Sequence, residues 1–240
     1  MIEMTDNEEN DRIREKFVPK NWNEVKSNDS WALFKIMAEF VEGYEKMAKI
    51  GPSVSIFGSA RTQPESPYYQ MAEEIAFQLT QIGFGVITGG GPGIMEAANK
   101  GAKRGRGKSA GIGIRLPFET GLNQYVDNEY SINFDYFFAR KVMFVKYSQG
   151  FIVLPGGMGT MDELFEALTL IQTHKTGRFP IVLVGVKFWS GLIDWLKETV
   201  MVEGNISEKD FELYRLVDTP EEAVGHIKAF YDKYMVKQNF

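Results

Sequence analysis

The sequence predicts an α/β fold: a Rossmann-like, doubly wound parallel sheet in three α/β/α layers, carrying a helical extension at its N-terminus. Three observations predict it. From residue 51 onward, short apolar runs of strand length alternate with helical stretches, the order that yields parallel strands with helices on both faces. The runs Phe151–Leu154 and Ile181–Val184 are continuously apolar, as strands buried on both faces must be. Glycine-rich segments follow several of these runs and lead directly into helical patterns.

Taken in order, residues 1 to 29 are charged and polar with little periodicity, and read as a loosely packed arm. From Trp31 to Ile50, Leu33, Ile36, Met37, Phe40, Val41, Tyr44 and Met47 recur at three- and four-residue steps, one apolar face of an amphipathic helix. Asp29-Ser30 supplies its start signal and Gly51-Pro52 its stop. The expected strands are Ser53–Phe57, Gly85–Thr88, Ala110–Arg115, Phe151–Leu154, Ile181–Val184 and Leu216–Val217. Helices are expected near 67–82, 92–104, 136–148, 160–173, 189–201 and 220–234. Residues 1–50 thus form an arm and helix, and 51–240 a single domain.

Composition narrows the function. The chain has 240 residues, 44% hydrophobic and 25% charged, with 18 Phe, 10 Tyr and 4 Trp, values that fit a sizeable core and not a solvated linker. Its 27 Lys and Arg against 32 Asp and Glu leave a net charge of −5, the wrong sign for a protein that coats nucleic acid. The absence of cysteine excludes disulfides, cysteine-ligated zinc, iron–sulfur clusters and cysteine nucleophiles. The acidic opening MIEMTDNEENDR is no signal peptide, and no apolar run approaches the ~18 residues of a membrane span. A soluble, cytoplasmic protein with no membrane partner is expected.

Ligands of such sheets sit at the carboxyl ends of the strands, where three loops stand out. They are Phe57-Gly58-Ser59-Ala60-Arg61, Thr88-Gly89-Gly90-Gly91-Pro92-Gly93-Ile94-Met95, and Leu154-Pro155-Gly156-Gly157-Met158-Gly159-Thr160. Glycine lets a ligand approach the main chain, and freed N–H groups at a helix start attract anions. Two such helix starts on one sheet edge point to a phosphate-bearing small molecule. The G-x-G-x-x-G fingerprint of dinucleotide sites is missing, because Ile94 stands at the third glycine. Ala102-x-x-x-x-Gly107-Lys108-Ser109 imitates a P-loop, but it follows a helix and precedes a strand, the reverse of the required order. Neither His174 nor His226 has a companion at metal spacing, so no metal site is expected. Two charged residues adjoin the loops. Thr160-x-x-Glu163 reads equally as a capping box, and Arg140 with Lys141 as side chains reaching from a packed helix to water.

The segment PGGMGTMDE, preceded by Arg140-Lys141 and by GGGPGIMEAA, resembles the LOG ("lonely guy") phosphoribohydrolases, whose signature is P-G-G-x-G-T-x-x-E with an upstream R-K pair. Members are often labelled "possible lysine decarboxylase", yet lysine decarboxylation ordinarily needs pyridoxal phosphate on a lysine, and nothing in this sequence marks such a site. The resemblance spans roughly Gly51 to Val186. It implies a nucleotide-binding catalytic domain that hydrolyses the N-glycosidic bond of a nucleoside 5′-monophosphate without a cofactor. The substrate would be AMP or an N6-modified AMP, and the products free base and ribose 5-phosphate. It implies Arg140 and Glu163 as the catalytic pair and Gly156, Gly157, Met158, Gly159 and Thr160 as the phosphate loop. Gly58, Ser59, Gly91, Gly93, Met95 and Lys141 complete the expected substrate contacts, with Met95 and Phe138 as candidate readers of the base. Phe138-Ala139 stands where many cytokinin enzymes have Met-His, and Asp162 where plant members have Glu. The resemblance also implies a homo-oligomer. A helix N-terminus favours an ionised carboxylate, which casts Glu163 as base or electrostatic stabiliser. A carrier or sensor that binds a nucleotide without hydrolysing it is the alternative.

Overall fold

The computed structural model describes residues 22–116 and 121–234, with side chains from residue 29 onward. Most of the expected arm therefore lies outside the described residues. Helix α1 (Trp22–Met47) begins nine residues before Trp31. Asp29 and Ser30 are interior, solvent-exposed helix residues and do not start the helix; short polar side chains are tolerated mid-helix when they point to water. There follow β1 (Ser53–Phe57), α2 (Pro67–Gln81), β2 (Gly85–Thr88), α3 (Ile94–Arg104), β3 (Ser109–Ile114) and β4 (Ser131–Phe134). The second half adds α4 (Phe137–Tyr147), β5 (Phe151–Val153), α5 (Met158–Gln172), β6 (Ile181–Val184), α6 (Val186–Trp195), β7 (Tyr214–Val217) and α7 (Pro220–Lys233).

The described strands form one sheet in the order β4-β3-β2-β1-β5-β6-β7, and every pairing is parallel. Two apolar layers sandwich it. On one face α4, α5, α6 and the end of α1 pack on Phe57, Ile87, Ile112, Phe151 and Leu183. On the other, α2, α3 and α7 cover Val54, Ile56, Val86, Ile152 and Val182. The three-layer expectation holds. Strand β4 was not expected: Ser-Ile-Asn-Phe alternates in burial at the sheet edge and lacks the continuous apolar run that marks its neighbours. The helix expected over 189–201 instead starts at Val186, and its last part, Leu196–Met201, is a π-helical turn.

The chain winds from β1 to β4 in one direction, then crosses to β5 on the other side of β1. Winding reverses between β1 and β5, so a crevice opens at their carboxyl ends. The loops that meet there are FGSAR and PGGMGT. No helix among the described residues is long and apolar enough to cross a membrane. Lys108 of the false P-loop donates to the carbonyls of Lys49 and Ile50, both at 2.8 Å, and so ties off the turn after α1.

Helix α1 docks on α4 and β4 by the stripe Ile36, Phe40, Gly43 and Met47. A Cβ on Gly43 would lie 2.9 Å from the end of the Met143 side chain, so a larger residue there would make the methionine shift. Glu39 of α1 accepts from the backbone N–H of Asp135 at 2.6 Å and so closes the start of α4. Leu33, Met37 and Val41, part of the expected apolar face, are each more than half exposed, as are Trp31 and Phe34 beside them.

Candidate active site

The Pro155-Gly156-Gly157 turn launches α5 with Gly157 as its N-cap, and no side chain closes that end. The N–H groups of the first turn therefore lack intrahelical acceptors. They open into a cleft of about 740 Å³ lined by Gly58, Ser59, Arg61, Gly89, Gly91, Met95, Arg140, Gly156–Thr160 and Glu163. Cβ atoms added at Gly157 or Gly159 would meet nothing within 4 Å, so this backbone faces open space. Gly156 is different: a Cβ there would collide with the Thr160 hydroxyl. The arrangement suits an anion, with backbone donors and the positive helix end aimed at one point. It joins the β1 loop through Ser59 N–H, which donates to Pro155 O at 3.0 Å.

Glu163 overturns one expectation. Because α5 starts at Met158, Glu163 is its sixth residue and Thr160 its third. The two form no capping box. Glu163 lies on the core-facing stripe with Thr160, Leu164, Ala167 and Ile171, is 7% exposed, and its Oε2 has no hydrogen-bond partner among the described residues. The dipole argument for an ionised carboxylate fails with it. Burial pushes the carboxyl up to about 7, outweighing the attraction of Arg140 and Lys141, while Glu166 and Asp162 add repulsion. At neutral pH the group is poised between its two forms.

Arg140 is fixed from three sides. Its Nε donates to Ile112 O at 2.7 Å. Its guanidinium lies 5.2 Å from the Phe144 ring, and its tip abuts Gly89, where a Cβ would collide with Nη2. Gly89 thus makes room for the arginine. Met95 packs Sδ against the same glycine, 2.7 Å from where a Cβ would stand.

Three expected contacts are not brought to the cleft. Lys141, next along α4, is not among the residues that line it; it pairs with Asp162 at 2.8 Å and Glu166 at 3.2 Å. Gly93, with φ +67°, lies beneath the β1 loop, and a Cβ there would collide with Ser59 O. Ile94 N–H donates to that same oxygen at 3.1 Å, so the start of α3 is closed by protein, unlike that of α5. Phe138 packs on the Tyr136 ring at 5.4 Å, while its neighbour Phe137 faces the cleft.

Several lining residues carry no signal in the sequence: Thr62, Ile114, Leu116, Phe137 and Phe188. Leu116, Phe137 and Phe188 lie two to four residues past the ends of β3, β4 and β6, so treating the first few positions beyond each carboxyl end as candidates finds them. Among the described residues, no three His, Asp or Glu side chains gather as a metal site would require.

A family model described as "Possible lysine decarboxylase" matches residues 95–227. The chain belongs to this family, the LOG family. One LOG relative is the cytokinin riboside 5′-monophosphate phosphoribohydrolase of Mycobacterium tuberculosis, 30% identical over 159 residues, or 65% of this chain and 82% of that protein. Another is the pyrimidine/purine nucleotide 5′-monophosphate nucleosidase of Escherichia coli (strain K12), 31% identical over 182 residues, which are 71% of this chain and 39% of that one. Among solved structures, the molybdenum cofactor carrier protein of Chlamydomonas reinhardtii shares the fold: TM-score 0.56, 24% identity, covering 76% of this chain and 99% of that one.

Proposed function

We propose that this LOG-family chain hydrolyses the N-glycosidic bond of a nucleoside 5′-monophosphate, AMP or an N6-modified AMP, to free base and ribose 5-phosphate. The observation that carries the reading is Glu163: a buried carboxyl with an unpartnered oxygen, lining the same cleft as Arg140 and the open start of α5. A binding site for an anion has no use for such a group. A hydrolase has one. Breaking the bond to the base builds oxocarbenium-like positive charge on the ribose. The ionised carboxylate is penalised by burial in the free enzyme and relieved as that charge appears, so its stabilisation is greatest in the transition state.

In this reading the 5′-phosphate rests on the N–H groups of Gly157, Gly159 and Thr160. Arg140 sits between phosphate and carboxylate, offsets their repulsion and orients the ribose. The C1′–N bond breaks with its electron pair going to the base. A water oxygen then bonds to C1′ and gives one proton to Glu163, and the base gains a proton in turn. The proposal extends to a cytoplasmic homo-oligomer, for which the exposed apolar side chains of α1 are candidate contacts; light scattering on the purified protein tests it.

The direct test incubates purified protein with AMP, GMP, CMP and N6-isopentenyl AMP, with no metal or cofactor added, and scores free base by chromatography. Release from a purine monophosphate, lost in Glu163→Ala, supports the reading. Nucleotide binding without release from any of the four moves the assignment to a carrier or sensor.

A further inference from the structure

A buried polar network lies behind the second glycine-rich loop, on the side away from the cleft. Asn99 of α3 is fully buried. Its Nδ2 donates to Ser109 Oγ at 2.9 Å and to Ala110 O at 3.1 Å. Its Oδ1 accepts from Thr88 Oγ1 at 2.6 Å and from Asn123 Nδ2 at 3.0 Å. The amide orientation is fixed, because Ala110 O only accepts and the Asn123 amide nitrogen only donates. Thr88, its hydroxyl proton committed to Asn99, accepts from Gly90 N–H at 2.9 Å. Asn123 in turn shares the two hydrogens of its Nδ2 among Asn99 Oδ1, Gly90 O and Gly91 O, all at 3.0 Å, and donates from its backbone N–H to Gly90 O at 2.7 Å.

The consequence lies in the peptide plane. A trans peptide points its N–H opposite to its C=O. Asn123, which is not among the residues that line the cleft, holds the Gly90 carbonyl, so the N–H of Gly91 points away from Asn123. Gly91 lines the cleft, and its N–H has no acceptor among the described residues. Gly90 allows this with φ +73° and no room for a Cβ, which would collide with Leu122.

We propose that Asn123, locked by Asn99 and Thr88, is a positioning residue that aims the Gly91 N–H at a ring nitrogen of the departing purine. The inference rests on the hydrolase reading and supplies what that reading leaves open: stabilisation of the negative charge that the base acquires as its bond breaks. Strands β2 and β5 flank β1, so the Gly91 and Gly156–Thr160 loops stand two strand spacings, about 10 Å, apart. That separation suits a nucleotide with its phosphate on one loop and its base on the other. A preorganised backbone donor aimed at developing charge lowers the barrier without strengthening ground-state binding.

The test compares AMP with 7-methylguanosine 5′-monophosphate, whose base leaves as a neutral molecule and needs no such help. Asn123→Ala is expected to lower kcat on AMP by about 10-fold with KM little changed, and to lower it less than about 3-fold on the methylated substrate. Thr88→Val should show the same selective loss, and Thr88→Ser should restore the rate on AMP. Because the Thr88 pair differs by one hydroxyl, it carries the test should Asn123→Ala fail to fold. Equal losses on both substrates, or no loss, overturn the inference and leave the hydrolase reading standing. Wild-type protein inert on both substrates removes the hydrolase reading, and this one with it.

Discussion

Helices α5 and α7 both carry Thr-x-x-Glu near their start, and the two copies have opposite fates. At α7, Thr219 is the N-cap: its hydroxyl accepts from Glu222 N–H at 3.2 Å, and Glu222 Oε2 accepts from Thr219 N–H at 3.2 Å. Backbone donors from Asp218 and Thr219 hold the Glu222 carboxyl below its usual range. At α5 the same pattern lies three residues further in, the hydroxyl caps nothing, and burial raises the Glu163 carboxyl to about 7. The difference is set by what flanks the threonine. Pro220 follows Thr219 and fixes the first helical residue there, whereas Pro155-Gly156-Gly157 turns the chain early and starts the helix at Met158. One glutamate is used to finish a helix, and the other is carried past the helix end into the core-facing stripe.

The largest expected effect separates these two glutamates by activity. Glu163→Gln keeps the shape and removes the charge, and is expected to lower kcat for nucleotide hydrolysis by about 10²–10⁴ with the fold intact by circular dichroism. Glu222→Gln should leave kcat within about twofold. Near-normal turnover in Glu163→Gln would return that residue to a structural role and erase the distinction.

Stability against pH sharpens the same contrast. Glu163 titrates near 4.5 when unfolded and at about 7 when folded, so between those values the folded chain binds the extra proton. Its contribution is fully present below pH 4.5 and lost as pH rises through 7. Above that, an ionised Glu163 costs on the order of 3 kcal/mol. Glu163→Gln escapes the penalty, so its Tm should gain on wild type between pH 5 and pH 8.5 by several degrees. Glu222 has the opposite sign, its stabilisation present at neutral pH and lost on acidification. A Tm difference for Glu163→Gln that stays constant with pH would show that burial does not hold its proton.

How much of this was legible beforehand follows from the kind of signal each part leaves. Strands Ser53–Phe57, Gly85–Thr88 and Ile181–Val184 match residue for residue, because each is a short run of β-branched and apolar residues bounded by glycine or proline. Strand β4 was invisible because an edge strand with one wet face can use Ser and Asn. The glycine-rich loops announced the cleft, yet sequence could not show that α5 opens into it while α3 is closed by Ser59. That depends on a contact between β1 and α3 that is remote in sequence. Lys141 and Phe138 lie off the cleft for a related reason: adjacent residues on a helix point about 100° apart, so Arg140 and Phe137 line the cleft and their neighbours do not. Asn99 and Asn123 carried no pattern, since a single buried amide is recognisable only by the partners it finds.

Within α5, Gly159 exposes the cost of keeping a helix start open. A helical glycine is less stable than alanine by roughly 0.5–1 kcal/mol, and a Cβ at Gly159 would meet nothing. Gly159→Ala should therefore raise Tm slightly while raising KM for the nucleotide, because the added methyl projects where the phosphate is proposed to sit. A variant with higher Tm and unchanged KM would place the anion elsewhere.

The smallest effect on activity is expected at α7. Thr219→Ala removes the hydroxyl that accepts from Glu222 N–H and leaves half of the capping box, at a cost of about 1 kcal/mol, or a few degrees of Tm. The Glu222 carboxylate still accepts from the backbone at Thr219, so the loss stays below that of deleting both groups. Helix α7 packs on the opposite face of the sheet from α5, so kcat and KM should not change. A drop in turnover would mean that the two helix starts communicate through the sheet, and that the division between a glutamate that completes the fold and one that serves the cleft is incomplete.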